Sequence, residues 1–283
     1  MSVDNSEQIA EWNGVLGQRW VAMQREIDRI VVPFGDAAMH AAAPQPGERV
    51  IDIGCGCGDT SIEIARRVGT AGAVMGVDVS QPMLEVARSR GALANHPHLA
   101  FRDGDASAAD LPLDQDLLFS RFGVMFFSEP SAAFGHLRKS LRPGGRCVFV
   151  CWRAPRDNPW TMVPLSAARK AMGVTPPPAD PNAPGPFAFA DEERLRGILA
   201  TAGFDRIEVQ RFDASLTVGA TPRAAAESAA QVGPVSRFAR EVGAEHLPMI
   251  VDAVEQALMP YAAPDGCVNL SGSTWIVSVS NPA

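Results

Sequence analysis

The run Val50-Ile51-Asp52-Ile53-Gly54-Cys55-Gly56-Cys57-Gly58, an apolar stretch ending in three alternate glycines, constrains this chain more than any other feature. A short apolar run bounded by glycine reads as a buried strand. Residues 59–68, with Ile62, Ile64, Ala65 and Val68 available for packing, read as the helix after it. Glycines between strand and helix let backbone pass close to a ligand and open the helix N-terminus towards it. One glycine suffices for a tight turn, so three point to a bound group. A dinucleotide turn wants glycine at its first, third and sixth positions, and the sixth here is Asp59. Asp52, just ahead of the glycines, repels a pyrophosphate but suits an ammonium group. The pattern therefore favours a zwitterionic ligand over a diphosphate.

The alternation continues on both sides of this turn. Strands are expected at 74–77, 99–102, 117–120 and 146–152, with helices at 82–90 and 132–141 and a turn at Arg142-Pro143-Gly144-Gly145. Strands alternating with helices mean an α/β chain with a parallel sheet. Upstream, Leu16, Trp20, Met23, Ile27 and Ile30 recur at spacings of three and four, which predicts one helix over 12–30. The pattern breaks over 154–189, where a helical piece near 165–172 precedes the proline-rich TPPPADPNAPGP, read as a surface loop. It resumes with a helix at 191–202, stopped by Gly203, and a strand at 207–212. Residues 221–261 are alanine-rich and helical, divided by Pro234 and Pro248, and a last strand falls at 275–279. There is no internal repeat. The expected organisation is one domain over 46–283, with 154–189 and 221–261 as insertions into it.

With 283 residues, 46% hydrophobic and 20% charged, the chain is an ordinary globular protein and neither disordered nor fibrous. No apolar run approaches the roughly 20 residues of a membrane-spanning helix. A formal charge of -7 argues against a nucleic-acid partner. The opening MSVDNSEQIAEW has no basic head before an apolar stretch, so a cytoplasmic address is expected. The five cysteines, Cys55, Cys57, Cys147, Cys151 and Cys267, are odd in number and are expected as free thiols. Their spacing does not suit zinc, and no metal is expected.

Asp78 closes the second strand in GVDVS, 20 residues beyond Gly58, where an acid is placed to hold both hydroxyls of a ribose. The lesser reading is an acidic cap on the helix at Gln81-Pro82, a task open also to Ser80. The third strand runs into Asp103-Gly104-Asp105-Ala106, where Asp105 is placed to accept from an adenine amino group.

The succession Asp-x-Gly-x-Gly-x-Gly, an acid closing the second strand, Gly-Asp-Ala and Leu-Arg-Pro-Gly-Gly-Arg resembles the class I S-adenosylmethionine-dependent methyltransferases, in particular the bacterial group similar to ubiquinone and menaquinone biosynthesis methyltransferases. The resemblance covers about 12–152 and, more loosely, 191–212. It implies a Rossmann-like, mostly parallel sheet of seven strands with helices on both faces, the last strand antiparallel and supplied by 275–279. It implies S-adenosylmethionine as the methyl donor and S-adenosylhomocysteine as product. Asp52, Gly54, Gly56, Asp78, Asp105 and Ala106 would bind the donor, its methionine end near Ser120, with Trp20, Cys55, Val79 and Met83 in the same set. The N-terminal residues 1–45, with Trp12, Asn13, Arg19 and Trp20, resemble the helical cap these enzymes lay over the donor, and the two insertions its lid. Trp20 also lies in the apolar stripe, so a packing role stands beside the binding one.

Methyl transfer is an in-line displacement that chiefly needs the acceptor held close, aligned and dry. Five histidines and one tyrosine are available for proton removal, and none forms a recognisable constellation. His136 is expected in solvent, opposite the buried Phe134, Leu137 and Leu141. No base is assigned. Ser120-Arg121-Phe122 stands where enzymes that methylate planar exocyclic amines carry an Asn/Asp-Pro-Pro-aromatic signature, and Cys147 and Cys151 lie inside a strand rather than at an exposed turn. The expected acceptor is a small molecule, aromatic or quinol-like, methylated on oxygen or carbon, with an amine second. Arg121, Phe122, Trp152, Trp160, His246 and Tyr261 are its candidate contacts. Trp152 and Trp160 read equally as residues that pack the insertion onto the sheet. The alternatives are a nicotinamide oxidoreductase on a similar sheet, weakened by the lack of a Tyr-x-x-x-Lys pair after the fourth strand, and a non-catalytic nucleoside-binding protein. Nothing in the pattern specifies an oligomer.

Overall fold

The computed structural model describes residues 5–175 and 180–283. The first four residues of the stretch read for export, and of the expected cap, lie outside the described residues, as does the 176–179 part of the proline-rich loop. The strands are β1 (Arg49–Ile53), β2 (Ala73–Asp78), β3 (Leu99–Asp103), β4 (Gln115–Arg121), β5 (Leu141–Trp152), β6 (Asp205–Gly219) and β7 (Val268–Ser280). They form one sheet in the order β3-β2-β1-β4-β5-β7-β6. The first five are parallel, and β7 runs antiparallel between β5 and β6. Helices cover both faces of the parallel part, so its central strands are apolar on both sides and read as short continuous runs. Ile51, Leu118, Phe119, Val148 and Phe149 are fully buried there.

The single helix expected over 12–30 is three: α1 (Ser6–Asn13), α2 (Val15–Ala22) and α3 (Gln24–Ala42). Gly14 breaks the first junction at φ -92° and ψ -145°, outside the helical region. Gly17 then lets α2 fold back on α1, because a Cβ there would lie 2.0 Å from the Trp12 carbonyl oxygen. Past residue 30, α3 continues through an interior Pro33 and buries Phe34, Ala38, Met39 and Ala42.

The remaining helices are α4 (Asp59–Val68), α5 (Gln81–Ala94), α6 (Pro130–Arg138), α7 (Pro159–Ala171), α8 (Glu192–Thr201), α9 (Pro222–Ala229), α10 (Pro234–Val242) and α11 (Leu247–Leu258). Pro234 and Pro248 each fall in the first turn of a helix, where a missing N–H costs nothing. The Arg142–Gly145 turn is instead a bulge inside β5. Leu141 pairs with Gln115 and Arg146 with Leu117, the residues between being extruded, and Gly144 sits at φ 72° with its N–H donating to the Asn281 carbonyl. The helix expected to reach residue 141 therefore stops at Arg138. β6 and β7 run well beyond 207–212 and 275–279, because polar residues in the added parts, among them Asp213, Ser215, Asn269, Ser271 and Ser273, leave no continuous apolar run there.

A large core surrounds the sheet, and a second buried cluster joins Leu165 of α7, Ala226 of α9, Phe238 of α10, Val254 of α11 and Leu270 of β7. Among the described residues no helix is long and apolar enough to cross a membrane.

Candidate functional site

The carboxyl ends of β1 to β5 share one edge of the sheet, and the strand order reverses between β1 and β4, the point where such sheets open a crevice. The glycine turn lies there. Gly54, Gly56 and Gly58 have φ of 67°, 55° and 82°, a conformation that favours glycine. A Cβ on Gly54 would lie 2.7 Å from the Gly123 Cα, and one on Gly56 would lie 3.0 Å from the Met83 Cε. The side chain of Met83 is thus the first thing a residue at 56 would meet. No side chain caps α4, which starts from this turn.

Asp52 is fully buried. Its Oδ2 accepts from the Thr60 hydroxyl at 2.7 Å and the Ser61 hydroxyl at 2.6 Å, both in the first turn of α4, while Oδ1 is buried without a partner. Burial pushes its pKa up to about 6, against the pull of those hydroxyls and of Arg121. A carboxylate with one oxygen orphaned suits a cationic ligand group, which would supply the missing donor.

Asp78 accepts from Gly56 N–H with Oδ2 and from Ser80 N–H with Oδ1, both at 2.8 Å. Burial raises its pKa. Each oxygen retains a lone pair for a ligand hydroxyl. Ser80 occupies the N-cap of α5 without capping it, because its hydroxyl donates to the Trp12 carbonyl at 2.8 Å. Asp105 accepts from Ser107 N–H at 2.9 Å and from the Asn5 side-chain amide at 3.0 Å. Ala106 and Met83 are buried beside these groups, and the Val79 carbonyl accepts from Asn13 at 2.8 Å. The Cys55 thiol is buried and held well above its ordinary pKa, so it is unreactive. Ser120 donates to the Ile53 carbonyl at 2.7 Å and accepts from Gly123 N–H, which ties the end of β4 to the turn. Trp20 meets Trp12 edge-on at 5.4 Å, and Trp12 meets Phe126 at 5.5 Å.

Of the acceptor candidates, Phe122, Trp152 and Trp160 come together. Phe122 stacks on Trp152 at 4.3 Å and 10°, and Trp152 packs on Trp160 at 4.8 Å. Phe122 has φ 60°, a strained conformation for a bulky residue and one that clusters at functional sites. Trp160 donates from Nε1 to Asn158 Oδ1 at 3.1 Å. Arg121 is not available to an acceptor, because its guanidinium is paired with Asp28 at 2.7 Å and Asp59 at 3.1 Å. His246 faces Glu245 at 3.8 Å and Tyr261 is 40% exposed, on turns at opposite ends of α11. Neither joins the aromatic group. His136, expected in solvent, is half-buried with Nε2 at 2.8 Å from the Ala109 carbonyl oxygen. No motif or periodicity marks Asn5, Asp28, Thr60, Ser61 or Arg90 as part of the site. Asp59 is visible in the sequence only as a departure from the dinucleotide pattern.

A family model described as a methyltransferase domain matches residues 50–145. The chain is similar to a 2-phytyl-1,4-naphtoquinone methyltransferase of Trichormus variabilis, 30% identical over 126 residues that cover 44% of this chain and 55% of that protein. The chain thus spans about half of that relative's length. The demethylmenaquinone methyltransferase of Clavibacter sepedonicus is 30% identical over 191 residues, 64% of this chain and 75% of that one. The solved structure of the YcgJ protein from Bacillus subtilis shares the fold, with a TM-score of 0.58 at 17% identity over 88% of this chain and 98% of that one. Since the chain covers three-quarters of the Clavibacter enzyme at 30% identity, and the methyltransferase-domain match takes in the glycine turn, this chain belongs to the S-adenosylmethionine-dependent methyltransferases.

Proposed function

We propose that this chain transfers the methyl group of S-adenosylmethionine to a small acceptor with a flat aromatic or quinol-like part, on oxygen or carbon. The observation that carries the donor site is the orphaned Asp52 oxygen beside a glycine turn, with one neighbouring strand ending at Asp78 and the next at Asp103, two residues ahead of Asp105. When bound, the donor supplies a methyl activated by its sulfonium. The chain's residues bind and orient it. Asp52 takes the ammonium, Asp78 the ribose hydroxyls through its remaining lone pairs, and Asp105 with Ala106 the adenine. Gly54, Cys55 and Gly56 offer backbone, Val79 and Met83 flank the nucleoside, and Ser120 fixes the strand end beside the methionine portion. Trp20 acts through Trp12 in closing the cap over it.

Phe122, Trp152 and Trp160 supply the apolar wall against which a flat acceptor stacks and from which water is excluded. Residues 154–189 and 221–261 contribute α7 and α9–α11, whose packing on one another supports the reading of these segments as a roof on the 46–283 domain, with 1–45 as its cap. The quinones in the names of the relatives support the acceptor class. The charge of -7 supports a small molecule over a nucleic acid, and five free cysteines support a cytoplasmic address.

Thermal unfolding with S-adenosylmethionine, S-adenosylhomocysteine and NAD tests the donor, since only a ligand that binds the native state raises the melting temperature. A rise with NAD alone overturns the reading. Labelled methyl donor against a panel of phenols, quinols and amines tests the acceptor class, and transfer to amines only would refute it.

A further inference from the structure

Four charged side chains that the donor site does not use meet beside the glycine turn. Asp28 Oδ1 lies 2.7 Å from Arg121 Nη2, and its Oδ2 lies 3.5 Å from Arg90 Nη1. Asp59 Oδ1 accepts from Arg90 Nη2 at 2.9 Å, and its Oδ2 from Arg121 Nη1 at 3.1 Å. Each carboxylate therefore holds both guanidiniums, and the ring is neutral. Arg90 Nη1 also donates to the Cys57 carbonyl at 2.9 Å, inside the turn itself.

Asp59 opens α4, Arg90 belongs to α5 and Arg121 ends β4, so three corners are fixed to the sheet. The fourth, Asp28, comes from the N-terminal half of α3. That half is at most half-buried, whereas the C-terminal half is anchored in the core by Phe34, Ala38, Met39 and Ala42. Between the halves stands Pro33, which cannot donate to the Arg29 carbonyl and weakens the helix there. Gly35 lets α3 lie directly on Arg121, because a Cβ there would be 3.1 Å from the Arg121 Cδ. The same half-helix carries α1 and α2, which rest on residues 79–81 through Trp12 and Asn13. With Arg121 and Asp28 only 15% and 18% exposed, solvent screens this ring less than a surface pair.

We propose that Asp28 is the latch of the N-terminal cap, a positioning residue that seats α1–α3 on the glycine turn through Arg90 and Arg121 and so sets how fast the donor site empties. The inference rests on the reading of that turn as the donor cradle. Asp28→Asn leaves two guanidiniums on one carboxylate and frees the half-helix to pivot about Pro33. Release of S-adenosylhomocysteine, followed by stopped-flow fluorescence with Trp12 and Trp20 as reporters in the cap, is expected to be about tenfold faster or more in that variant. The ligand-free melting temperature should fall by only a few degrees, and Asp28→Glu should recover most of the wild-type rate. A role confined to stability would move the melting temperature and leave release unchanged. Unchanged release in a variant that still binds overturns the latch and leaves the cradle standing, whereas no binding of S-adenosylhomocysteine by the wild type overturns the cradle and the latch with it. Should Asp28→Asn fail to fold, Pro33→Ala decides: with the helix stiffened between its halves, slower release supports a cap that pivots from the latch, and unchanged release overturns it.

Discussion

The side-chain amide of Asn5 donates to Asp105 Oδ2 at 3.0 Å, so the N-terminal segment closes on a carboxylate 100 residues away that is also our candidate for the adenine. A ligand amino group must share that oxygen or displace Asn5. Asn5→Ala is therefore expected to leave donor affinity unchanged or slightly improved, because Ser107 N–H still holds the carboxylate. Asp105→Ala is expected to weaken the donor by about 1 kcal/mol, one hydrogen bond's worth. Calorimetry on both variants checks this. Equal losses would mean that Asp105 serves only to anchor the N-terminal segment.

Asp78 holds the turn as well as its proposed ribose, which separates two substitutions. Asp78→Ala leaves the Gly56 and Ser80 amides without their acceptor and is expected to lower both stability and affinity, the latter by about 2 kcal/mol for a charged hydrogen-bonding group. Asp78→Asn keeps an acceptor oxygen for one of the two amides, so most of its loss should fall on affinity. Melting curves paired with titrations measure the split. An Asn variant that binds the donor like wild type would leave Asp78 as a brace for the turn.

The glycines of the turn are not equivalent. A Cβ on Gly54 would meet the Gly123 backbone at 2.7 Å, whereas one on Gly56 would meet the movable end of Met83 at 3.0 Å. Both substitutions force alanine into the left-handed region at roughly 1 kcal/mol, but only Gly54→Ala must also displace main chain. Denaturant titration should rank Gly54→Ala as the more destabilising of the two. The reverse order would show that the ends of β1 and β4 can slide apart.

What the sequence disclosed and what it hid follow from the range of the interactions. β1 with its turn, and the positions of β2 and β4, are legible because a buried parallel strand must be apolar on both faces and must end where the chain turns, so the signal is local. The carboxylates at Asp52, Asp78 and Asp105 were legible because strand ends locate them. Their partners were not. Thr60 and Ser61 look like ordinary first-turn residues, and Asn5 reaches Asp105 across 100 residues with no periodicity to announce it. The break at Gly14 is hidden in the sequence because the apolar stripe runs on across it. Arg121 looked like an acceptor contact since its position at the end of β4 is visible in sequence, while the Asp28 that occupies it is not.

Asp52 gives the protein a pH signature. Its folded pKa of about 6 lies above the ordinary 3.8, so the stability it contributes is complete below the unfolded value and is lost as pH rises through 6. The penalty above that is on the order of 3 kcal/mol at full ionisation. Asp52→Asn should therefore gain stability relative to wild type from pH 4 to pH 7 in urea titrations. An ammonium ligand favours the ionised carboxylate, so donor affinity should rise with pH through about 6 in the wild type and stay flat in Asp52→Asn. Wild-type affinity that is flat over that range would remove Asp52 from the donor site.

Trp160 decides whether the aromatic group receives an acceptor or merely holds α7 to the sheet. Its ring packs on Trp152 at 4.8 Å and touches both buried clusters, and its N–H donates to Asn158, which is fully buried and also bonded to Ser273. Trp160→Ala would open a void costing about 3–5 kcal/mol and confound the test. Trp160→Phe is cleaner, because it keeps most of the apolar area while Asn158 Oδ1 retains the Ser273 N–H. With the indole withdrawn from the wall, turnover of the true acceptor should fall about tenfold while donor affinity stays within about twofold, a loss confined to one substrate. An acceptor rate unchanged in the Phe variant, together with a lowered melting temperature, would assign Trp160 to packing and move the acceptor wall to Phe122 and Trp152 alone.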